Sequence, residues 1–439
     1  MRDPDGSLTV ETNQVTRIVD QSSSALGFLK TKTARELVDD GYLIPFDFIS
    51  QNGVVSRKIE FVSYPSEWCD SQFTDAASFT IDLSRRLLAN GFELKDASAW
   101  NVLFSGNRPI FCDHLSFARI TTKQWWAMGQ FARHFILPLL LSSRRRLFAH
   151  NAFRLNRDGL YPQSARNLLG IFWPFSRCGP LMFHQGSGLG ESMTELTQGR
   201  APYHEFLYKY CEWCLPRTTN RAASNWVRYS DDRNHYTLGD EQLKKQTIYS
   251  WLERVQPEWV MDLGCNTGEF VGLAQRLGAS VIAVDADHDA INCLFRTSFK
   301  GIGKVYPVIA NLANLNEGTG WLGHESVPLV SRLANAAELV LCLAVAHHLI
   351  CSEGIPFPEV AAMLNSFSRD YVILENISSH DPMVEKLMKQ RNRKNDYLAS
   401  SVQKDILRRY FSVVDSRVIN STRELLLLKK LNPTGAEIA

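Results

Sequence analysis

The segment from Val260 to Phe270, VMDLGCNTGEF, decides the fold. Apolar residues lead into Asp262. Gly264 follows, then two small or polar residues, a threonine and Gly268. This is the pattern of a buried strand that ends in a sharp turn and enters a helix. Phe270, Leu273, Ala274 and Leu277 then recur at the spacing of one helical face. Further strand-like runs follow: SVIAVD (280–285), VYPVIA (305–310), ELVLCLAV (338–345), YVILENI (371–377) and ELLLLKK (424–430). Strands alternating with helices predict an α/β domain with a parallel sheet covered on both faces.

The turn itself narrows the ligand. A dinucleotide loop needs a glycine between Gly264 and Gly268, and Asn266 stands there. A P-loop needs Gly-Lys-Ser/Thr, which is absent. A carboxylate before the turn disfavours pyrophosphate and favours a cationic ligand. S-adenosylmethionine has an ammonium, a sulfonium and no phosphate, and it fits. Asp262 would serve its amino-acid part, and the backbone of Gly264, Cys265, Asn266 and Gly268 would approach it closely. Asp285 and Ala286 end the second strand, where a carboxylate can accept two ribose hydroxyls. Asn311 and Leu312 end the third strand, at the adenine edge. Leu343 ends the fourth, under the reactive methyl.

Residues 240–430 resemble class I S-adenosylmethionine-dependent methyltransferases. VMDLGCNTGEF matches the first motif of that family, VIAVDAD the second and ELVLCLAVAHHL the fourth. The resemblance implies a Rossmann-like sheet, S-adenosylmethionine as cofactor and transfer to an oxygen or nitrogen nucleophile. His347 and His348 are the candidate bases, since a neutral imidazole can take the acceptor's proton. Histidines at this place also serve as packing groups. Glu375 is expected at the carboxyl edge of the sheet, either on substrate or capping a loop. Asp381 is expected as a helix N-cap before Pro382.

The N-terminal half differs. It has strand-like pieces at 57–64 and 109–117 and a helical stretch at 77–91, then aromatic-rich helices from about Lys123 to Cys214. In LKDASAWNVLFSGNRPIFCDHLSF (94–117), Asp96, Asn101 and Asp113 resemble the catalytic loop and metal-binding aspartate of kinase-like phosphotransferases. The departures are large. Leu94 replaces the usual histidine, and no glycine-rich loop or strand lysine is evident. The expectation is an inert kinase-like remnant that positions substrate. SYPSEW, LKDASAWNVLF, the Gly320-Trp321 pair, AHHL and DPMVEKL together resemble bacterial two-part methyltransferases, a group that includes methyltransferase-like nodulation proteins. The expected segments are residues 1–120, α+β and kinase-like; 121–225, a mostly helical extension; and 226–439, the methyltransferase domain. The polar stretch Thr218–Gly239 marks the boundary. Two rival functions are a phosphotransferase acting through Asp96, Asn101 and Asp113, and a non-catalytic cofactor-binding protein.

Bulk properties limit the partners. The net charge of +2 over 439 residues gives no general electrostatic case for nucleic acid or a membrane. Two basic clusters, Arg144–Arg146 and Lys386 to Lys394, are expected to be solvated helix faces. FILPLLL (135–141) is too short to span a bilayer and is expected in the core. Nine scattered cysteines with one CxxC, Cys211 and Cys214, point to a reducing, cytoplasmic setting rather than a metal site. The expected partner is a small-molecule or carrier-bound substrate; no metal is expected.

Overall fold

The computed structural model describes residues 5–121, 125–170, 176–183, 203–216, 236–297, 303–391 and 399–431. The chain forms two compact units, residues 1–221 and 222–439. Most of the expected boundary stretch, 217–235, lies outside the described residues, as do Arg393 and Lys394.

In the first unit, strands β1 (Gly6–Val10), β2 (Gln14–Val19), β3 (Phe46–Phe48) and β4 (Gly53–Arg57) form an antiparallel sheet in the order β1-β2-β4-β3. Helix α1 (Asp70–Leu88) buries Phe73, Ile81 and Leu87, and Cys69 and Gln72 cap its start reciprocally. Two short antiparallel pairs follow, β5 (Phe92–Leu94) with β8 (Phe117–Arg119), and β6 (Val102–Ser105) with β7 (Arg108–Phe111). This arrangement is α+β, as expected: Asp96 and Asn101 sit on the turn between β5 and β6, and Asp113 follows β7.

Two strand readings need correction. Residues 58–64 are not a strand, because β4 ends at Arg57 and the chain turns toward Pro65. The run 109–117 is two strands of different sheets, because Asp113 accepts from the Leu115 amide and the Ser116 hydroxyl and turns the chain between them. The greasy segment is core: Phe135 to Leu141 are all buried, within a π-helical turn (Ala132–Ile136) that runs into α2 (Leu137–Arg145). Arg145 donates to the carbonyls of Leu168 and Leu169 and so closes the end of the helix Pro162–Leu169. Helix α3 (Tyr203–Cys214) buries both cysteines of the CxxC. No helix among the described residues is long and apolar enough to cross a membrane.

The second unit carries one seven-stranded sheet, ordered β11-β10-β9-β12-β13-β15-β14. Its strands are β9 (Trp259–Leu263), β10 (Ser280–Asp285), β11 (Val305–Ile309), β12 (Ala337–Cys342), β13 (Ser368–Ile377), β14 (Phe411–Asn420) and β15 (Arg423–Lys430). β9 to β13 are parallel and mostly buried on both faces, as expected of strands with helices above and below. The sheet is not wholly parallel, which corrects the expectation. β15 inserts antiparallel between β13 and β14, joined to β14 by the tight turn at residues 421–422. Sequence reading missed β14, whose valines alternate poorly with polar residues.

The helices that flank the sheet include α4 (Leu238–Val255), α5 (Glu269–Arg276), α6 (His288–Thr297), α7 (Ala346–Cys351), α8 (Phe357–Phe367), α9 (Pro382–Gln390) and α10 (Ser400–Leu407). Side chains separate the two faces of the sheet. Glu375 meets Lys244 of α4, while Glu424, paired with Asn376 one position on, meets Lys404 of α10.

Candidate functional site

The chain order reverses between β9 and β12, so their carboxyl ends open a crevice where α/β sheets bind ligands. The VMDLGCNTGEF turn lies there. Gly264 has φ +71°, and a Cβ would meet Val345 Cγ2 at 2.2 Å. Gly268 has φ +89°, and a Cβ would meet Leu294 Cδ1 at 2.4 Å. Asn266 replaces a glycine yet adopts φ +50°, a conformation that asparagine tolerates better than most residues. The Gly264 and Cys265 amides both donate to the Val284 carbonyl, which ties the turn to β10.

Two carboxylates flank the turn. Asp262 is 2% exposed, and its Oδ2 has no hydrogen-bond partner among the described residues. Burial, with the nearby Asp285 charge, pushes it up to about 7, against the pull of Lys244. Asp285 accepts the Asn266 amide on Oδ2 and the Asp287 amide on Oδ1, each at 2.8 Å. Burial still holds it above the usual carboxylate range. Ala286 beside it is exposed. Cys265 is buried, and burial keeps its thiol protonated. Leu343 is buried after β12. Asn311 is exposed, and its Oδ1 accepts from the Ala313 amide. Its side chain therefore supports a turn at the end of β11, next to the half-buried Leu312.

His347 and His348 begin α7, with ring centroids 4.2 Å apart. His347 is 2% exposed, and neither ring nitrogen has a hydrogen-bond partner among the described residues. Burial, then the neighbouring His348 and Arg423, hold it well below the ordinary histidine value, so it is neutral. Burial lowers His348 as well.

Below the histidines lies a buried ionic group that sequence reading missed. Glu375 accepts from Lys244 Nζ at 2.7 Å and from the Tyr236 hydroxyl. Arg423 donates through Nε and Nη2 to Asp381 at 2.8 and 3.1 Å, and through Nη1 to Tyr236 at 2.9 Å. Burial would raise Glu375, but Lys244 and Arg423 outweigh it and hold it at about 2. Glu375 therefore neither faces substrate nor caps a loop. Asp381 does cap α9, accepting the Met383 amide at 2.9 Å, and it also anchors Arg423. One signal was available: Lys244 falls on the apolar stripe of α4 with Ile248, Trp251 and Leu252.

The residues expected to be kinase-like are each held by neighbours within the first unit. Asp113 is paired with Arg17 of β2 and accepts from Ser116. Asn101 donates to Ser116 Oγ at 3.1 Å, and Asp96 accepts the Ser98 amide at 3.0 Å. Arg17 was not singled out from the sequence; its TRIV context looks like any surface strand.

No family model matches the chain. The chain is 29% identical over 418 residues to the nodulation protein NoeA of Rhizobium meliloti (strain 1021), spanning 89% of this chain and 86% of that one. Among solved structures, a magnesium protoporphyrin IX methyltransferase from Synechocystis PCC 6803 with bound SAH is 16% identical. The match covers 47% of this chain and 93% of that one, with a TM-score of 0.33. The bifunctional kinase-methyltransferase WbdD is 16% identical over 46% of this chain and 42% of that one, also with a TM-score of 0.33. At such distance these two structures carry no weight about activity. The sheet order, the glycine turn and the two flanking carboxylates give residues 222–439 the fold of the class I S-adenosylmethionine-dependent methyltransferases, in a chain similar along most of its length to the nodulation protein NoeA.

Proposed function

We propose that the chain is an S-adenosylmethionine-dependent methyltransferase acting on an oxygen or nitrogen nucleophile of a small metabolite, glycan or carrier-bound intermediate. One observation carries the reading: a carboxylate oxygen of Asp262 is buried without a partner at the mouth of a turn that only glycines and a positive-φ asparagine can form. A buried unpartnered carboxylate is costly unless a ligand completes it. The ammonium of S-adenosylmethionine fits that need, and the two glycines, packed against Val345 and Leu294, hold the turn in the shape that presents it. Asp285 would accept the ribose hydroxyls while its two backbone donors keep it aimed.

When bound, the cofactor supplies an electrophilic methyl group. The chain's own residues would align the acceptor and exclude water, which is most of what an in-line displacement needs. His347, neutral and with both ring nitrogens free of partners among the described residues, can accept a proton or hydrogen bond from the acceptor. Calorimetry with S-adenosylhomocysteine, and separately with magnesium-ATP, tests the reading. Binding of the first and not the second is the expected result; the reverse would overturn it. Cell metabolite pools incubated with methyl-labelled cofactor would then identify the acceptor.

A further inference from the structure

We propose that two copies of this chain associate through β14, edge to edge and antiparallel, about a two-fold axis at Ser416. β14 is a terminal strand of the sheet, so one row of its backbone groups has no strand partner. Its middle is largely exposed, although Asp415 is half-buried against α4. Val413, Val414 and Val418 are 42%, 47% and 64% exposed, and Ser412, Ser416 and Arg417 are exposed beside them. A long edge bearing apolar side chains is a template for pairing. Natural sheets blunt such edges with charges and bulges, and β14 carries both. The bulges, between Val413 and Asp415 and between Val418 and Asn420, bracket a regular stretch, Asp415–Val418, paired with Glu424–Leu427. The charges, Asp415 and Arg417, lie on one face two residues apart.

Those charges select the occupant. With two copies antiparallel about Ser416, Asp415 of each lies opposite Arg417 of the other, and Val414 lies opposite Val418. Sliding by two residues in either direction sets Asp415 against Asp415 or Arg417 against Arg417. Like charges directly opposite are destabilising, and opposite charges at that spacing are favourable. A one-residue slip sends the side chains to the wrong faces. The strand is thus complementary to itself in one register.

The local surface agrees. On the α4 side, an open groove of about 620 Å³ runs beside the strand, lined by Gln246, Ser250, Trp251, Arg254, Asp415 and Arg417 among others. Asp415 lines this groove, its Oδ2 accepting from Trp251 Nε1 and Arg254 Nη1, each at 3.1 Å, and its Oδ1 from the Ser416 amide at 2.8 Å, so a guanidinium of a second copy would add to a carboxylate already fixed in place. Arg417 has no ionic partner among the described residues of its own chain. The second copy would supply one, twice over by symmetry.

Analytical ultracentrifugation of the full chain, with oxidative trapping of single-cysteine additions, tests this. The wild type is expected to sediment as a dimer at micromolar concentration. Ser416→Cys is expected to cross-link to itself under mild oxidant, with the bond located by peptide mass. Val414→Cys is expected to cross-link only when mixed with Val418→Cys. Arg417→Asp, at an exposed site, is expected to keep native circular dichroism and to weaken dimerisation at least about tenfold, by opposing like charges. A wild type that stays monomeric at the highest soluble concentration would overturn the proposal. So would a dimer whose Ser416→Cys variant does not self-cross-link.

Discussion

At the scale of single residues, the two carboxylates beside the turn make separable contributions. Asp285→Ala removes charge-assisted bonds to the ribose, a loss of about 1.5–3 kcal/mol, so S-adenosylhomocysteine affinity is expected to drop at least tenfold. Unchanged affinity in a folded variant would remove the cofactor assignment. Asp262 sets a pH dependence. With its value pushed up to about 7, the unliganded protein is partly protonated there at neutral pH. A bound ammonium favours the ionised form, so affinity is expected to fall by up to about tenfold per pH unit below 7 and to level off above it. In the unliganded protein the sign is opposite. A carboxyl raised in the folded state stabilises the fold less as pH rises from about 4, its unfolded value, to about 7. Asp262→Asn is therefore expected to raise the unliganded melting temperature at pH 8 and to flatten the affinity profile. His347 gives a third test. Because it is held far below the usual histidine range, its titration should leave no step near 6.5 in the rate profile. His347→Ala is expected to lower turnover roughly a hundredfold with cofactor affinity nearly unchanged. A variant that loses stability but keeps its turnover would make His347 a packing residue.

At the scale of elements, the Lys244, Glu375, Arg423, Asp381 and Tyr236 group joins the start of α4, the end of β13, the cap of α9 and the start of β15. Its four charged members are almost fully buried, so removing one leaves a charge unpaired, at a cost of about 3–5 kcal/mol. Arg423→Met is expected to lower the melting temperature by several degrees and to loosen the α9 end of the crevice. A melting temperature within a degree of wild type would show that the group does not brace these elements. Glu375, held near 2, contributes stability above its unfolded value of about 4.5, and that contribution is lost as pH falls toward 2. This level also shows what the sequence could tell. β9, β10 and β13 were legible because apolar runs ended in acidic or polar residues. The turn was legible because glycines report backbone conformation directly. The ionic group was not, since its charges lie far apart in the chain and only the antiparallel insertion of β15 brings Arg423 to Glu375. β14 was not legible either, because an exposed edge leaves no strong alternation to read. For Asn311, its place at a strand end was foreseen, but its bond to the Ala313 amide is a local turn detail that motif spacing does not encode.

At the scale of the whole molecule, one chain carries an α/β unit with the glycine turn and an α+β unit whose Asp96 and Asp113 are held by neighbours of that same unit. A phosphotransferase keeps its second aspartate free for magnesium and a cation free for the phosphates. Here Arg17 and Asp113 neutralise each other, with Arg17 buried. Asp96 is raised by burial and by the Asp113 charge, and it accepts the Ser98 amide at 3.0 Å. The double change Asp96→Asn, Asp113→Asn is therefore expected to leave S-adenosylhomocysteine affinity and methyl transfer within about twofold of wild type. Removing Asp113 alone strands the buried Arg17, so the stability of the first unit is expected to fall by about 3 kcal/mol or more. Arg17→Met combined with Asp113→Leu should recover much of that loss, because an apolar pair can replace a buried ion pair. The informative measurement is phosphate release from magnesium-ATP in parallel with the melting curve. Hydrolysis that vanishes in the double asparagine variant, measured at a temperature where that variant is still folded, would make the first unit an active phosphotransferase and reverse this division of labour.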